Sequence, residues 1–168
     1  MSTRRLLPLL AACLAAAAAL LPSAASAKPQ VCFKSAVRQL LIADGKLDQQ
    51  ALKWHEDVDL VRCGDVTADG VADAVFTVSS GGTAGDTRFG VYRGGTSPQL
   101  VLYKGAYKVG IARHDRRSFD VIQPHYGRND PNCCPSSFRE RRYSWTGSRF
   151  KAGPTQKLKH PPARFYKP

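Results

Sequence analysis

The densest chemistry in the sequence lies in Asp65-Val66-Thr67-Ala68-Asp69-Gly70-Val71-Ala72-Asp73. Carboxylates stand at positions one, five and nine of this segment, a hydroxyl at three and a glycine at six. Calcium takes six to eight oxygen ligands, and alternate residues of a tight loop present oxygens to one point. Asp65, Thr67, Asp69 and Asp73 would supply side-chain oxygens, and Val71 its backbone carbonyl. Gly70 permits the sharp turn. An EF-hand is excluded, because position twelve is Phe76 where a bidentate Glu is required, and a strand pattern follows. The other reading is a metal-free β-turn in which the aspartates cap backbone N–H groups. Three clustered carboxylates without a cation repel one another, which keeps Ca²⁺ in contention as a cofactor.

The run GDVTADGVADAVF resembles the calcium loops of FG-GAP or VCBS-type repeats, D-x-[DN]-x-D-G-x-x-D before a hydrophobic strand. Thr67 departs from the pattern, where the family has Asn or Asp. A hydroxyl is a poorer ligand than a carboxylate, so the resemblance implies a weak site.

Other residues carry less. His55, His114, His125 and His160 invite acid–base chemistry, and a small secreted hydrolase such as a ribonuclease, using His125 and nearby arginines, is one alternative. Catalysis needs a His within hydrogen-bond reach of a second group. The chain has no G-x-S-x-G, H-E-x-x-H or Cys/His nucleophile signature. The glycine-rich stretch Ser79-Ser80-Gly81-Gly82-Thr83-Ala84-Gly85-Asp86 lacks the G-K-[ST] ending of a phosphate cradle and reads as a long hairpin connection. As a recognition edge, the same stretch supports a further alternative, a protein-inhibitor or interaction module. Basic residues cluster at Arg113-His114-Asp115-Arg116-Arg117 and at Arg139-Glu140-Arg141-Arg142, interleaved with Tyr107, Tyr126, Tyr143, Trp145 and Phe150. Such a patch suits an anionic envelope polymer or lipid head groups, and export makes nucleic acid the less fitting partner. A solvated face that keeps the protein soluble is the plainer reading.

Export is written at the start of the chain. Arg4 and Arg5 precede an apolar run interrupted by Pro8, and Ala25-Ser26-Ala27 closes it as an A-x-A cleavage site. Residues 1–27 therefore read as a signal peptide, with Lys28 the new N-terminus. The run is shorter than the roughly 20 residues that span a bilayer. Leu10-Ala11-Ala12-Cys13 offers lipid anchoring at Cys13 as the alternative, but the apolar LAAAAALLP that follows is not a lipoprotein's polar tether. The expected localisation is secreted, extracellular or periplasmic.

The full chain has 168 residues and a formal net charge of +12. After cleavage, 141 residues remain, enough to bury a core. Their charge is uneven: residues 28–86 hold six basic and nine acidic side chains, and residues 87–168 hold 17 and four. Cys32, Cys63, Cys133 and Cys134 form an even set, which export makes two disulfides. Local geometry favours pairing Cys133 and Cys134 with Cys32 and Cys63, since neighbours sit only about 3.8 Å apart. A strict meander puts the two turns at opposite ends of the sheet and favours Cys32–Cys63 with a vicinal pair. Both connectivities stand.

These residues need a frame. Phe33, Ala36, Val37, Leu40 and Leu41 recur at helical spacing with Gly45 as a stop, and a short helical turn starts at Asp48 as N-cap. Period-two strands are expected at 58–63, 74–78, 89–93, 100–103, 109–113, 119–123 and 141–145. The fold class is α+β: an N-terminal helix packed on an antiparallel β-meander, disulfide-stapled, over residues 28–152. From Gly153 the Pro-rich, basic GPTQKLKHPPARFYKP reads as a flexible tail, residues 153–168.

Tyr126-Gly127-Arg128-Asn129-Asp130-Pro131-Asn132-Cys133-Cys134-Pro135-Ser136, then Tyr143-x-Trp145-x-Gly147-x-x-Phe150, resembles the C-terminal half of the LppP/LprE-type exported lipoproteins of actinobacteria. The shared feature is D-P-x-C-C-P-[ST], and the resemblance covers roughly residues 60–150. Members are envelope proteins of unassigned biochemical function. The resemblance thus implies location and fold, and no activity.

Overall fold

The computed structural model describes residues 30–161. Residues 1–29, which include the expected signal peptide and Cys13, and residues 162–168 lie outside the described residues. Among the described residues no helix is long and apolar enough to cross a membrane.

A 3₁₀ turn at Gln30–Cys32 leads into helix α1, Lys34–Ala43. Val37 and Leu41, four apart on one face, are fully buried. Gly45, at φ 63°, ends the helix, and the Lys46 N–H returns to the Leu41 carbonyl at 2.8 Å. Helix α2, Gln49–Lys53, is capped as expected: Asp48 accepts a hydrogen bond from the Ala51 N–H at 2.5 Å.

Eight strands follow, all paired antiparallel. They are β1 (Asp57–Gly64), β2 (Asp73–Ser79), β3 (Asp86–Arg93), β4 (Gln99–Gly105), β5 (Gly110–Arg113), β6 (Ser118–His125), β7 (Ser137–Trp145) and β8 (Phe150–Leu158). The meander is confirmed, but it is broken into two sheets of four, β1-β2-β3-β4 and β5-β6-β7-β8. The break falls at 106–109, where the N–H groups of Ala106, Lys108 and Val109 bond back to Thr87, Ala84 and Asp86.

Period-two alternation explains the layering. In β2, Ala74, Phe76 and Val78 face α1 with Val37, Leu41 and Tyr92, while Val75 faces the second sheet. The intersheet core joins Val75, Phe89, Val91 and Leu102 to Ile111, Phe119, Val121, Tyr143 and Phe150. Its rings interlock, with Phe89 edge-on to Tyr143 at 5.3 Å and Phe119 stacked on Tyr143 at 5.7 Å. Tyr143 and Phe150, which the sequence placed among surface basic clusters, are therefore core residues.

Two sequence expectations are resolved here. The disulfides are Cys32–Cys63 and Cys133–Cys134, the topological alternative. The flexible tail starting at Gly153 is corrected, because β8 runs through Gly153 and Pro154 to Leu158. As the edge strand of its sheet, β8 tolerates a proline, whose missing N–H is not needed on the open side. The register with β7 shifts between Arg141 and Tyr143, opposite that Gly-Pro step.

Candidate functional site

The 65–73 loop joins β1 to β2 and is closed mainly by its own carboxylates. Asp65 accepts hydrogen bonds from the N–H groups of Asp69 at 3.0 Å and Gly70 at 3.1 Å. Asp69 accepts from the Val71 N–H at 2.9 Å. Asp73, wholly buried, accepts from Thr67 N–H at 2.8 Å and from Gly94 N–H, beyond β3, at 2.9 Å. The tight path needs positive φ at Ala68 and Gly70, 56° and 89°. The Thr67 hydroxyl is buried with no hydrogen-bond partner among the described residues.

The remaining charge is met by arginines from distant strands. Arg116 Nη2 reaches Asp65 Oδ2 at 2.7 Å, and Arg93 Nε reaches Asp69 Oδ2 at 2.7 Å. Arg116 hydrogen bonding, helped by the loop N–H groups, holds the Asp65 carboxyl below the ordinary range; Arg93 does the same for Asp69. Among the described residues no three His, Cys, Asp or Glu side chains gather as a metal-holding group. With its oxygens committed to backbone N–H groups and two guanidiniums, the loop as arranged fits the turn reading better than a resident Ca²⁺. The arginines are what local sequence reading misses, since they stand 51 and 24 positions from their partners.

Arg116 also lines a groove between the sheets. β1 and β5 are both edge strands. Between them lies a hollow of about 390 Å³, with Val61, Val75, Ile111 and Phe119 on its apolar walls and Arg62, Arg113 and Arg116 among its polar lining. The Asp65–Arg116 pair therefore ties the loop of the first sheet to the β5–β6 turn of the second.

The histidines lie in separate surroundings. His125 ends β6, where its backbone carbonyl accepts from the Ser137 hydroxyl at 3.4 Å. His114 Nδ1 lies 3.2 Å from Asp120 Oδ2, and the His125 imidazole lies close enough to Asp130 to help hold that carboxyl below its ordinary range. Asp120 is fully buried and also takes Arg142 Nε at 3.0 Å. The glycine-rich stretch is the β2–β3 connection, as expected. Its Gly81, at φ 72°, packs against the Trp54 carbonyl so closely that a Cβ there would lie 2.2 Å from that oxygen.

The basic clusters map onto one sheet. Residues 106–161 carry 12 Lys and Arg against four acids, whereas residues 30–105, the helices and first sheet, carry eight against nine. In the first part, Lys34, Arg38, Arg88 and Arg93 are paired with Asp59, Asp57, Glu56 and Asp69. On the second sheet Arg139 and Lys157 stand directly opposite each other across β7 and β8, with Arg141 two residues along and all three exposed. Among the described residues neither Arg139 nor Lys157 pairs with an acid.

Comparison with family models, curated proteins and solved structures returns no match to this chain.

Proposed function

We propose that this is an exported, non-enzymatic envelope-associated domain that holds an anionic envelope polymer on its second sheet. The observation that carries the reading is the exposed cationic row Arg139, Arg141 and Lys157 on β7 and β8, in which Arg139 and Lys157 have no acidic partner among the described residues and Arg141 donates to the Gly153 carbonyl. Like charges directly opposite on neighbouring strands repel, and an anion lying across them removes that cost. A polymer suits the row better than a lipid surface. Among the described residues the exposed large hydrophobic side chains, Phe33, Trp54 and Tyr107, lie on other elements than β7 and β8. Two disulfides and the export signal agree with an oxidising compartment outside the cytoplasm. The basic D-P-x-C-C-P-S half supports an envelope location through its resemblance to the LppP/LprE-type proteins.

The test is binding to a purified teichoic-type polyanion, with anionic vesicles and RNA as separate arms. The double variant Arg139→Glu/Lys157→Glu is expected to lose at least tenfold in polymer affinity, about 1.4 kcal/mol. Lys53→Glu, a charge reversal on α2, should leave it unchanged. Retained affinity in the double variant, binding to vesicles but not polymer, or cleavage of RNA each overturns the proposal.

A further inference from the structure

The two disulfides do different physical work. Cys32–Cys63 spans 31 positions and ties the 3₁₀ turn before α1 to β1. Cys133–Cys134 joins neighbours and encloses no chain beyond one peptide bond. The loop-closure entropy that lets a disulfide stabilise a fold grows with the chain enclosed, so the second bond contributes little of that kind.

The segment around it is held by other means. The Asp130 carboxylate accepts from the N–H groups of Gly127 and Ser136, each at 2.6 Å, and from the Ser136 hydroxyl. The Lys108 ammonium donates to the Tyr126 hydroxyl at 3.0 Å and to the carbonyl and side-chain oxygens of Asn132, both at 2.8 Å. Tyr126 donates in turn to the Asn132 carbonyl at 2.8 Å, and Tyr107 to Asn132 Oδ1 at 3.2 Å. None of these bonds passes through sulfur. Both cysteines are exposed, and Cys133 lines a pocket of about 200 Å³ together with Lys108, Tyr126 and Asn132.

We infer that Cys133–Cys134 is a reversible two-electron exchange site, reduced by an external dithiol while the two sheets and Cys32–Cys63 stay intact. One thiolate of the dithiol attacks Cys134 Sγ, the bond between the cysteines breaks, and Cys133 leaves as a thiolate. The second thiolate of the reductant then attacks its own sulfur in the mixed disulfide and releases Cys134. Two electrons pass to the cysteine pair, each sulfur takes a proton from solvent, and the reductant departs as a cyclic disulfide. Cys133 is the leaving sulfur because it shares its pocket with the Lys108 ammonium, and a nearby cation favours the thiolate.

The experiment exposes the folded, full-length exported protein to graded dithiothreitol, alkylates, and maps the modified cysteines by mass. Cys133 and Cys134 are expected to label together at low reductant with the near-UV circular dichroism unchanged and Cys32 and Cys63 unlabelled. Oxidised glutathione should restore the pair. Lys108→Met should slow the reduction several-fold, and Lys108→Arg should preserve the rate. Labelling of all four cysteines at once, labelling of the pair only after the native signal is lost, or an unchanged rate in Lys108→Met overturns the inference. The double variant Cys133→Ser/Cys134→Ser should melt as the parent does and keep polymer binding, which separates this site from the cationic row.

Discussion

Asp73 shows how the loop before β2 is built from single side chains. It is fully buried, and its two oxygens satisfy N–H groups on separate segments, Thr67 and Gly94. Asp73→Ala strands both donors, so equilibrium denaturation should show a loss on the order of 2–4 kcal/mol. Asp65 and Asp69 are ionised more readily in the fold than in the open chain, because Arg116 and Arg93 bond to them. A carboxyl with a depressed folded pKa stabilises above its unfolded value, about 3.9, and that contribution is lost as pH falls through the folded pKa. Stability should therefore drop below about pH 4, and the drop should be shallower in Asp65→Asn/Asp69→Asn, as read from denaturation midpoints across the acid range. The same guanidiniums compete with a cation for the loop carboxylates. Melting of the parent should not differ between chelator and about 10 mM Ca²⁺, a concentration above the range of weak extracellular sites. Arg93→Ala/Arg116→Ala uncovers the carboxylates and should acquire a response. A calcium-dependent rise in the parent would restore Asp65, Thr67, Asp69, Val71 and Asp73 as a ligand set.

The elements stand on a few close approaches. Gly90 of β3 lies under the Phe76 ring, and a Cβ there would meet the Leu102 carbonyl oxygen at 2.5 Å and Phe76 Cζ at 2.6 Å. Gly90→Ala should cost about 1–3 kcal/mol in denaturant unfolding with the sheet order kept, as for other overpacked sites. How far such elements could be read in advance depends on the range of the forces involved. The helix from Lys34 and seven of the strands were legible because hydrophobic period and turn residues are local signals. β8 was hidden by Gly153 and Pro154, which end a strand in most settings but sit harmlessly on an open edge. The division into two sheets was not legible either. It depends on the 106–109 connection bonding back to Thr87, Ala84 and Asp86, contacts that no window of sequence contains. The vicinal disulfide was a matter of topology overriding a local preference. At the site, the aspartates announced themselves through spacing, whereas Arg116 showed only as part of a basic cluster and Arg93 not at all, and neither could be read as the partner of an aspartate 51 or 24 positions away.

On the scale of the whole molecule, the sequence's charge gradient becomes a difference between sheets. The helices and first sheet are near neutral, with four of their eight cations paired to their own acids, while residues 106–161 of the second sheet carry 12 cations against four acids. On the proposed reading, a field arranged this way would orient the molecule before contact, with the second sheet leading toward a polyanion. Binding by such a surface is driven by release of the polymer's counterions, so affinity falls with salt in proportion to the charges neutralised. For flexible single-stranded polyanions the slope of log K against log salt is about 0.7 for each. Arg139→Glu/Lys157→Glu removes two such contacts, and the slope measured between about 50 and 300 mM NaCl should flatten by about 1.4 relative to the parent. Lys53→Glu changes the net charge by the same amount per site yet lies on α2. If net charge alone governed association, Lys53→Glu would flatten the slope by half as much as the double variant does. If the row on β7 and β8 is the contact surface, the Lys53→Glu slope stays at the parent's value. Equal per-charge effects at the two places would show that the polymer is held by the overall field and would sink the assignment of Arg139 and Lys157 as its seat.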